Sequence, residues 1–224
     1  NMEDNMSTMF NTLLKLPLFQ GLSQEDFTNI LGRVKLHFKK YKAGETIVKS
    51  GSQCKELVFL LKGEIDAETM PENKLFTYIE TIKTPYLIEP ESLFGMTPDF
   101  KSSYIARTEV SAMTIDKMFV LKELLRYDVF RLNYVNNVSN RAQSIYSRLW
   151  KTSPSGTENK IIHFFLNYAE RLEGEKTISI KMEDLAEILD DTRLNVSRVL
   201  NDLQQRGLLQ LRRKVIYIPE IEKL

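Results

Sequence analysis

The chain contains very little cysteine or histidine. The 224 residues include a single cysteine, Cys54, and two histidines. One cysteine cannot form an internal disulfide or supply the roughly four thiolates of an iron–sulfur cluster. Neither histidine lies near a serine or cysteine in an arrangement that suggests a catalytic triad. We therefore expect neither an enzyme nor a bound metal ion.

Long apolar runs and a strong net charge are also missing. No stretch approaches the ~20 apolar residues that cross a bilayer. The N-terminal segment carries the acidic residues Glu3 and Asp4 and has no long apolar core, so we expect no secretion signal. We therefore expect a cytoplasmic protein without a membrane partner. The hydrophobic fraction of 42% and the low content of glycine and proline predict folded domains, and 224 residues allow two of them.

The net charge of only +1 conceals a strongly basic segment near the C-terminus. Between Thr192 and Lys214 there are six basic residues and one acidic residue. A charge that is balanced overall but basic on one face is typical of a surface that binds nucleic acid.

Two short amphipathic helices joined by a tight corner are predicted between Lys181 and Leu203. Their apolar or small residues form two sets, separated by Asp190, Asp191 and Thr192. These sets are Leu185, Ala186, Ile188 and Leu189, followed by Val196, Val199, Leu200 and Leu203. The spacing is typical of a helix-turn-helix, whose second helix enters the major groove of DNA.

Polar and basic side chains occupy the outward positions of the second helix and of the hairpin that follows. Gly207 is predicted to end the helix, and strands over 208–211 and 215–218 predict a wing with a basic tip. Such side chains can reach base edges and phosphates. The candidate DNA-binding residues are Thr192, Arg193, Asn195, Ser197, Arg198, Arg212, Arg213 and Lys214.

The N-terminal half has the sequence pattern of β-strands. From about Val34 to Asp116, short strands alternate with glycine and proline turns, which favours an antiparallel barrel or sandwich. Strands are predicted over 56–65, 75–82 and 104–115. A helix from Lys117 breaks near Tyr127 and continues over 128–150, before a hinge at 153–156.

The predicted helix over 128–150 has an apolar seam with the 3,4 spacing of a helix that pairs with another helix. The seam comprises Leu132, Val135, Ser139, Ala142, Tyr146 and Leu149. Val138 and Ile145 widen the apolar stripe, so that one face can contact the barrel and the other a second subunit. We therefore expect a homodimer; the alternative is a helix that packs only on its own domain.

Together these motifs resemble the Crp-Fnr family of bacterial transcription regulators. The resemblance rests on Leu16-Pro-Leu-Phe, on the segments 41–51 and 57–65, on Phe94-Gly95, and on 191–200. It implies an α+β fold with an N-terminal antiparallel β-roll like a cyclic-nucleotide-binding domain, a long dimerisation helix and a C-terminal winged helix-turn-helix. The expected ranges are 1–126 for the sensory domain, 127–152 for the helix and hinge, and 153–224 for the DNA-binding domain.

The family's Arg-x-x-Val-x-Arg pattern stands here as Arg193, Val196 and Arg198. Leu194 occupies a place where many relatives carry a glutamate that accepts a hydrogen bond from cytosine. Leucine cannot accept one, so we expect a different half-site with apolar contact to a thymine methyl. Asp190 stands where the turn usually has glycine, and aspartate tolerates the left-handed conformation.

The resemblance also implies an effector pocket, but its nucleotide-binding residues are degenerate. Met96 follows Phe94-Gly95 where the family has a ribose-binding carboxylate, and the phosphate-binding arginine's place falls at Phe100 or Lys101. The positions that face adenine align with Ile145 and Tyr146. We therefore expect the pocket of Phe94, Gly95, Met96, Lys101, Ile145 and Tyr146 not to bind cyclic AMP.

The expected function is a Crp-Fnr-type regulator that binds double-stranded DNA as a homodimer on an inverted repeat. Its small-molecule effector is unidentified, and RNA polymerase is a candidate partner. One alternative is a regulator of the same family that senses nitric oxide or redox state through haem, with His37, Met96, Met113 or His163 as candidate ligands. Another is a sensory or interaction module that does not bind DNA.

Overall fold

The computed structural model describes residues 2–224, which form two compact units. The first unit runs to Ile65 and includes Lys83–Ser147, and the second combines Asp66–Ile82 with Arg148–Leu224. The sequence-based ranges placed 66–82 in the sensory domain. In the structure these residues instead pack with the C-terminal part of the chain.

Seven α-helices and eleven strands are found in residues 2–224. The helices are α1 (Met2–Leu13), α2 (Gln24–Arg33), α3 (Lys117–Lys122), α4 (Asp128–Leu149), α5 (Thr157–Tyr168), α6 (Met182–Ile188) and α7 (Arg193–Gln205). The strands are β1 (His37–Tyr41), β2 (Thr46–Val48), β3 (Glu56–Lys62), β4 (Glu64–Thr69), β5 (Phe76–Lys83), β6 (Tyr86–Ile88), β7 (Ser103–Ala106), β8 (Val110–Asp116), β9 (Lys176–Ile180), β10 (Gln210–Arg212) and β11 (Val215–Ile218). None of the helices in this described range is both long and apolar enough to cross a membrane.

The first unit is built on an antiparallel sheet with the strand order β1-β8-β3-β6. A second pairing joins β2 to β7. The core of the first unit includes a cluster of aromatic rings. The ring centroid of Phe19 lies 5.2 Å from that of Phe59 and 5.5 Å from that of Phe130. The α+β architecture with an antiparallel N-terminal unit is therefore confirmed.

Two strands that the sequence predicted as continuous are each divided into two. Gly63 has a φ of +105° and separates β3 from β4; a Cβ atom there would lie 2.3 Å from the carbonyl oxygen of Glu109. The segment between β7 and β8 turns because the backbone N–H groups of Arg107 and Thr108 both donate to the carbonyl of Glu64. Alternating apolar residues do not reveal such tertiary contacts.

The helix α4 begins and ends close to the predicted residues. One face buries Phe130 and Tyr134. Leu132 and Leu149 on α4, and Trp150 immediately after it, are among the exposed apolar side chains. A short helical turn over Leu124–Arg126 separates α3 from α4, as the predicted break near Tyr127 required.

The second unit has a sheet with the order β10-β11-β9-β5-β4, covered by the helices α5, α6 and α7. Five residues of β5 pair with β9, from Phe76 opposite Ile180 to Glu80 opposite Lys176. The prediction of a strand over 75–82 is confirmed, and in the structure this strand pairs with β9 of the second unit. Its rings of Phe76 and Tyr78 belong to the same core as Phe164 and Phe165.

Candidate nucleic-acid interface

Asp191 organises the corner between α6 and α7. Its carboxylate accepts hydrogen bonds from Thr192 N at 2.7 Å, Asn195 Nδ2 at 3.0 Å and Thr157 Oγ1 at 2.7 Å. The Nζ atom of Lys160 lies 3.7 Å away. The hydrogen bonds, chiefly the one from Thr157, lower the pKa of Asp191 to about 2. The preceding Asp190 takes the left-handed conformation with a φ of +49°, as predicted.

The first turn of α7 presents an exposed set of side chains. Thr192 is its N-cap, and its Oγ1 accepts the backbone N–H of Asn195 at 3.1 Å. Arg193 and Arg198 are exposed, and Leu194 is 78% exposed. The opposite face buries Val196, Leu200 and Leu203, as the apolar spacing predicted. The free N–H groups at such a helix end favour phosphate oxygens.

Two of the predicted DNA-binding residues are partly engaged within the unit. The Nδ2 atom of Asn195 donates to Asp191, and its Oδ1 lies 3.5 Å from Nη2 of Arg198. The carbonyl and hydroxyl oxygens of Ser197 accept hydrogen bonds from Nδ2 of Asn201 at 2.9 and 3.5 Å. Asn195 therefore holds the corner in this structure, and its assignment as a DNA contact stays a prediction.

The wing consists of β10, β11 and the turn between them. Arg212, Arg213 and Lys214 are all exposed, and Lys214 has a φ of +59°. The Oε1 atom of Gln204 accepts the backbone N–H of Leu211 at 2.7 Å and so ties the end of α7 to the wing. The three basic residues lie together at the tip, as the sequence predicted.

A groove of about 410 Å³ lies between the start of α7 and the wing. Its lining includes five basic side chains and one acidic side chain, Glu183. The basic side chains are Lys181, Arg193, Arg212, Arg213 and Lys214. Glu183 lies 3.9 Å from Arg193, and both side chains are largely exposed, so this ion pair is weak and open to competition by a phosphate.

Sequence reasoning missed Lys181 and Asp191 as parts of this interface. Lys181 immediately precedes α6, where the sequence spacing indicates only the start of the helix. The spacing of Asp191 and Asn195, four residues apart at a helix start, was a usable signal for a local hydrogen bond. Thr157, which lies 34 positions away on α5, gave no local signal.

The predicted effector-pocket residues lie in varied environments. Phe94 is half-buried and packs edge-on against Tyr134, with ring centroids 6.0 Å apart. Met96 is fully exposed, and Lys101 is exposed while its backbone N–H bonds to Glu89. Ile145 and Tyr146 are also exposed. The assignment of these residues to an effector pocket stays a prediction.

The candidate haem ligands also differ in their surroundings. His37 lies on the exposed strand β1, Met96 is exposed, and Met113 is fully buried in the core of the first unit. His163 lies on α5 in the second unit. Within residues 2–224, no three His, Cys, Asp or Glu side chains are grouped to hold a metal ion. Burial raises the pKa of Cys54 to about 11, so its thiol stays protonated.

The predicted dimer seam lies on the outer face of α4. Leu132, Val135, Ala142, Tyr146 and Leu149 are exposed. Ser139 is half-buried. The seam is accessible in the single chain, and its role in a dimer stays a prediction.

Two family models match this chain. The cyclic nucleotide-binding domain matches residues 38–127, and the Crp-like helix-turn-helix domain matches residues 159–224. Together the two matches cover more than two thirds of the chain. No match was found among curated protein sequences.

Solved structures with the same fold include two that match most of this chain. The catabolite activator protein of Thermus thermophilus is 18% identical, with a TM-score of 0.54 and coverage of 92% of this chain and 95% of that one. The c-di-GMP-responsive global regulator CLP of Xanthomonas campestris is 14% identical, with a TM-score of 0.52 and coverage of 88% and 99%. The sensor domain of the regulator DNR from Pseudomonas aeruginosa is 16% identical, with a TM-score of 0.50 and coverage of 65% and 99%.

A β-roll of the cyclic-nucleotide-binding type joined to a winged helix with an exposed basic helix defines a DNA-binding transcription regulator. The chain belongs to the Crp-Fnr family. This family consists of transcription regulators and not of enzymes, in agreement with the expectation from the sequence.

Proposed function

We propose that the protein acts in the cytoplasm as a homodimer that binds an inverted-repeat operator, with one α7 in each half-site. The exposed apolar side chains of α4 support the dimer, because an apolar helix face is buried from water only when another surface packs against it. Two-fold symmetry then sets the half-sites about one helical turn apart, ~34 Å.

The exposure of Arg193, Leu194 and Arg198 at the start of α7 carries this proposal. The two arginines can donate to base edges or phosphates, and the basic groove beside them can hold the DNA backbone. Leu194 offers only apolar contact, so the proposed half-site contains a thymine methyl where many relatives read cytosine.

We further propose that the first unit senses a molecule other than cyclic AMP and acts through α4. The short helical turn Pro90–Ser92 is connected to α4 at two points. The hydroxyl of Tyr134 donates to the carbonyl of Pro90 at 2.5 Å, and Arg141 pairs with Glu91 at 2.7 Å. A ligand that moves this turn would also move α4 and change the spacing of the two recognition helices, with RNA polymerase as the downstream partner.

Substitution of the two arginines tests the DNA-binding role. Arg193→Ala and Arg198→Ala should each weaken operator binding by about 1–3 kcal/mol, or roughly 5- to 150-fold in Kd. Gel-shift titrations with the operator and with a scrambled duplex at two salt concentrations measure the effect.

Arg206→Ala is the matched control for these variants. It removes the same charge from the C-terminal cap of α7, where Arg206 pairs with Glu158 and Asp202. We expect its operator affinity to stay close to that of the unmodified protein. Equal affinities for all three variants and the parent protein would contradict the proposed interface.

A further inference from the structure

A buried carboxylate without a cationic partner lies in the sensory unit. Glu89 is 6% exposed, and the described residues offer it no ion pair. Its Oε1 accepts hydrogen bonds from Ser92 Oγ at 2.9 Å and from Lys101 N at 2.8 Å. Its Oε2 accepts Ser102 N at 3.2 Å and Tyr104 OH at 2.8 Å. Four donors therefore converge on a single anionic group, one from the helical turn Pro90–Ser92, two from the loop before β7 and one from β7 itself.

Such a set of donors is the chemistry of an anion-binding site. Backbone N–H groups and hydroxyls stabilise a buried negative charge through charge-assisted hydrogen bonds, without any lysine or arginine. Burial and the neighbouring negative groups raise the pKa of Tyr104 well above its usual range, so its hydroxyl stays protonated and remains a donor. The cluster, defined as Ser92 Oγ, Lys101 N, Ser102 N and Tyr104 OH, is called the donor cluster below.

The backbone at Glu89 is arranged for this contact. Glu89 takes a left-handed conformation with a φ of +35° and is followed by Pro90. A non-glycine residue rarely adopts this conformation unless its surroundings hold it there. The hydrogen bonds from the four donors to the side chain of Glu89 stabilise this conformation.

The donor cluster includes the position at which the family resemblance placed a phosphate-binding group, Phe100 or Lys101. We propose that Glu89 is a built-in anion that occupies the donor cluster and excludes effectors that would bind there through a phosphate. The sensory unit then responds to a molecule without a phosphate group. This inference rests on the proposed sensory role of the first unit.

The Glu89→Ala variant of the full chain tests the proposal, because it removes the anion and leaves the donors. Its Tm is measured with formate, acetate, inorganic phosphate and cyclic AMP, against chloride at the same ionic strength. We expect formate or phosphate to raise the Tm of this variant by about 5 °C at about one hundred times the measured Kd. The Tm of the parent protein should change no more with formate or phosphate than with chloride.

Glu91→Ala is the matched control. Glu91 is a neighbouring carboxylate that pairs with Arg141, and its removal does not vacate the donor cluster. An anion-specific shift in Glu89→Ala alone supports the proposal. A folded Glu89→Ala protein that responds to formate and phosphate no more than to chloride overturns it, as does an equal shift in Glu91→Ala.

A second measurement decides the matter even if Glu89→Ala does not fold. Calorimetric titration of the parent protein with cyclic AMP and with inorganic phosphate should give no saturable heat. Glu89→Gln keeps the volume of the side chain and should likewise bind neither. Saturable binding of either ligand to the parent protein overturns the proposal. These measurements contain no DNA, so their failure leaves operator binding, tested above by gel shift, as a separate result.

Discussion

Asp191 shows how one residue can fix the orientation of the recognition helix. Its carboxylate joins α5, the corner and the first turn of α7 through Thr157, Thr192 and Asn195. Because these donors favour the charged form, the pKa of Asp191 falls to about 2 in the folded protein. The stabilisation is therefore complete above the ordinary aspartate pKa and is lost as the pH falls toward 2.

Asp191→Asn should lower the free energy of unfolding near neutral pH, since the amide cannot accept all of these bonds. The difference from the parent protein should stay constant from neutral pH to about pH 5 and shrink as the pH falls below about 4. Urea titrations followed by circular dichroism across this range measure it. A difference that grows toward low pH would contradict the assigned role of the charge.

Local sequence signals account for the roles of some residues and not of others. The N-cap of Ser23, whose hydroxyl accepts the N–H of Asp26 at 3.1 Å, follows from residue type and spacing alone. The role of Glu89 does not, because two of its four donors are backbone N–H groups. Such donors carry no residue-type signal, and only the fold brings them together.

Among the secondary-structure elements, β5 has the most unexpected partner. Its Glu80 is buried and pairs with Lys176 of β9, with Oε2 and Nζ 3.2 Å apart. The same carboxylate accepts the backbone N–H groups of Glu170 and Arg171 at 2.6 and 3.0 Å. Burial raises the pKa of Glu80, and the charge of Lys176 opposes this rise. These two N–H groups lie just beyond Tyr168, the last residue of α5, so the carboxylate of Glu80 holds the backbone that follows this helix.

Breaking this pair should be costly. Lys176→Met leaves the carboxylate of Glu80 buried without a cation, and we expect a loss of about 3–5 kcal/mol in the free energy of unfolding. The double variant Glu80→Gln with Lys176→Met should recover part of this loss, because it removes both charges. Urea unfolding of the two single variants and the double variant forms a double-mutant cycle. Strict additivity would show that the pair does not interact.

The alternation of buried and exposed residues in β5 was readable from the sequence, but its partner was not. Phe76, Tyr78, Glu80 and Ile82 are buried at every second position. This pattern fits any sheet with one covered face. Nearly one hundred residues separate β5 from β9, and no local rule selects a partner at that distance.

For the molecule as a whole, the exposed seam of α4 is the basis of the proposed dimer. Leu132→Glu should weaken self-association by about 2 kcal/mol or more, because it places a charge in an apolar contact. Phe38→Glu is the control, since Phe38 is similarly exposed but lies on β1. Sedimentation velocity across a concentration series measures both. An unchanged dimer in Leu132→Glu, or equal dissociation of the control, would contradict the seam.

The order of the main elements and the winged helix followed from the sequence because helical periodicity and turn residues are local signals. The grouping of 66–82 with the C-terminal unit did not, since it depends on a long-range strand pairing. The departures from the family's nucleotide-binding residues are visible in the sequence, and their consequence for the effector stays a prediction. The carboxylate that bonds to the backbone N–H of Lys101 is not visible there.

Selection of DNA fragments by the purified protein is the decisive test of operator recognition. Genomic fragments are bound at two salt concentrations, enriched and sequenced, in parallel with Arg193→Ala and Arg198→Ala. We expect one enriched inverted repeat with half-sites about 10 base pairs apart, bound less well at higher salt and enriched more weakly by both variants. No enriched sequence, or the same repeat recovered equally well by both variants, would contradict it.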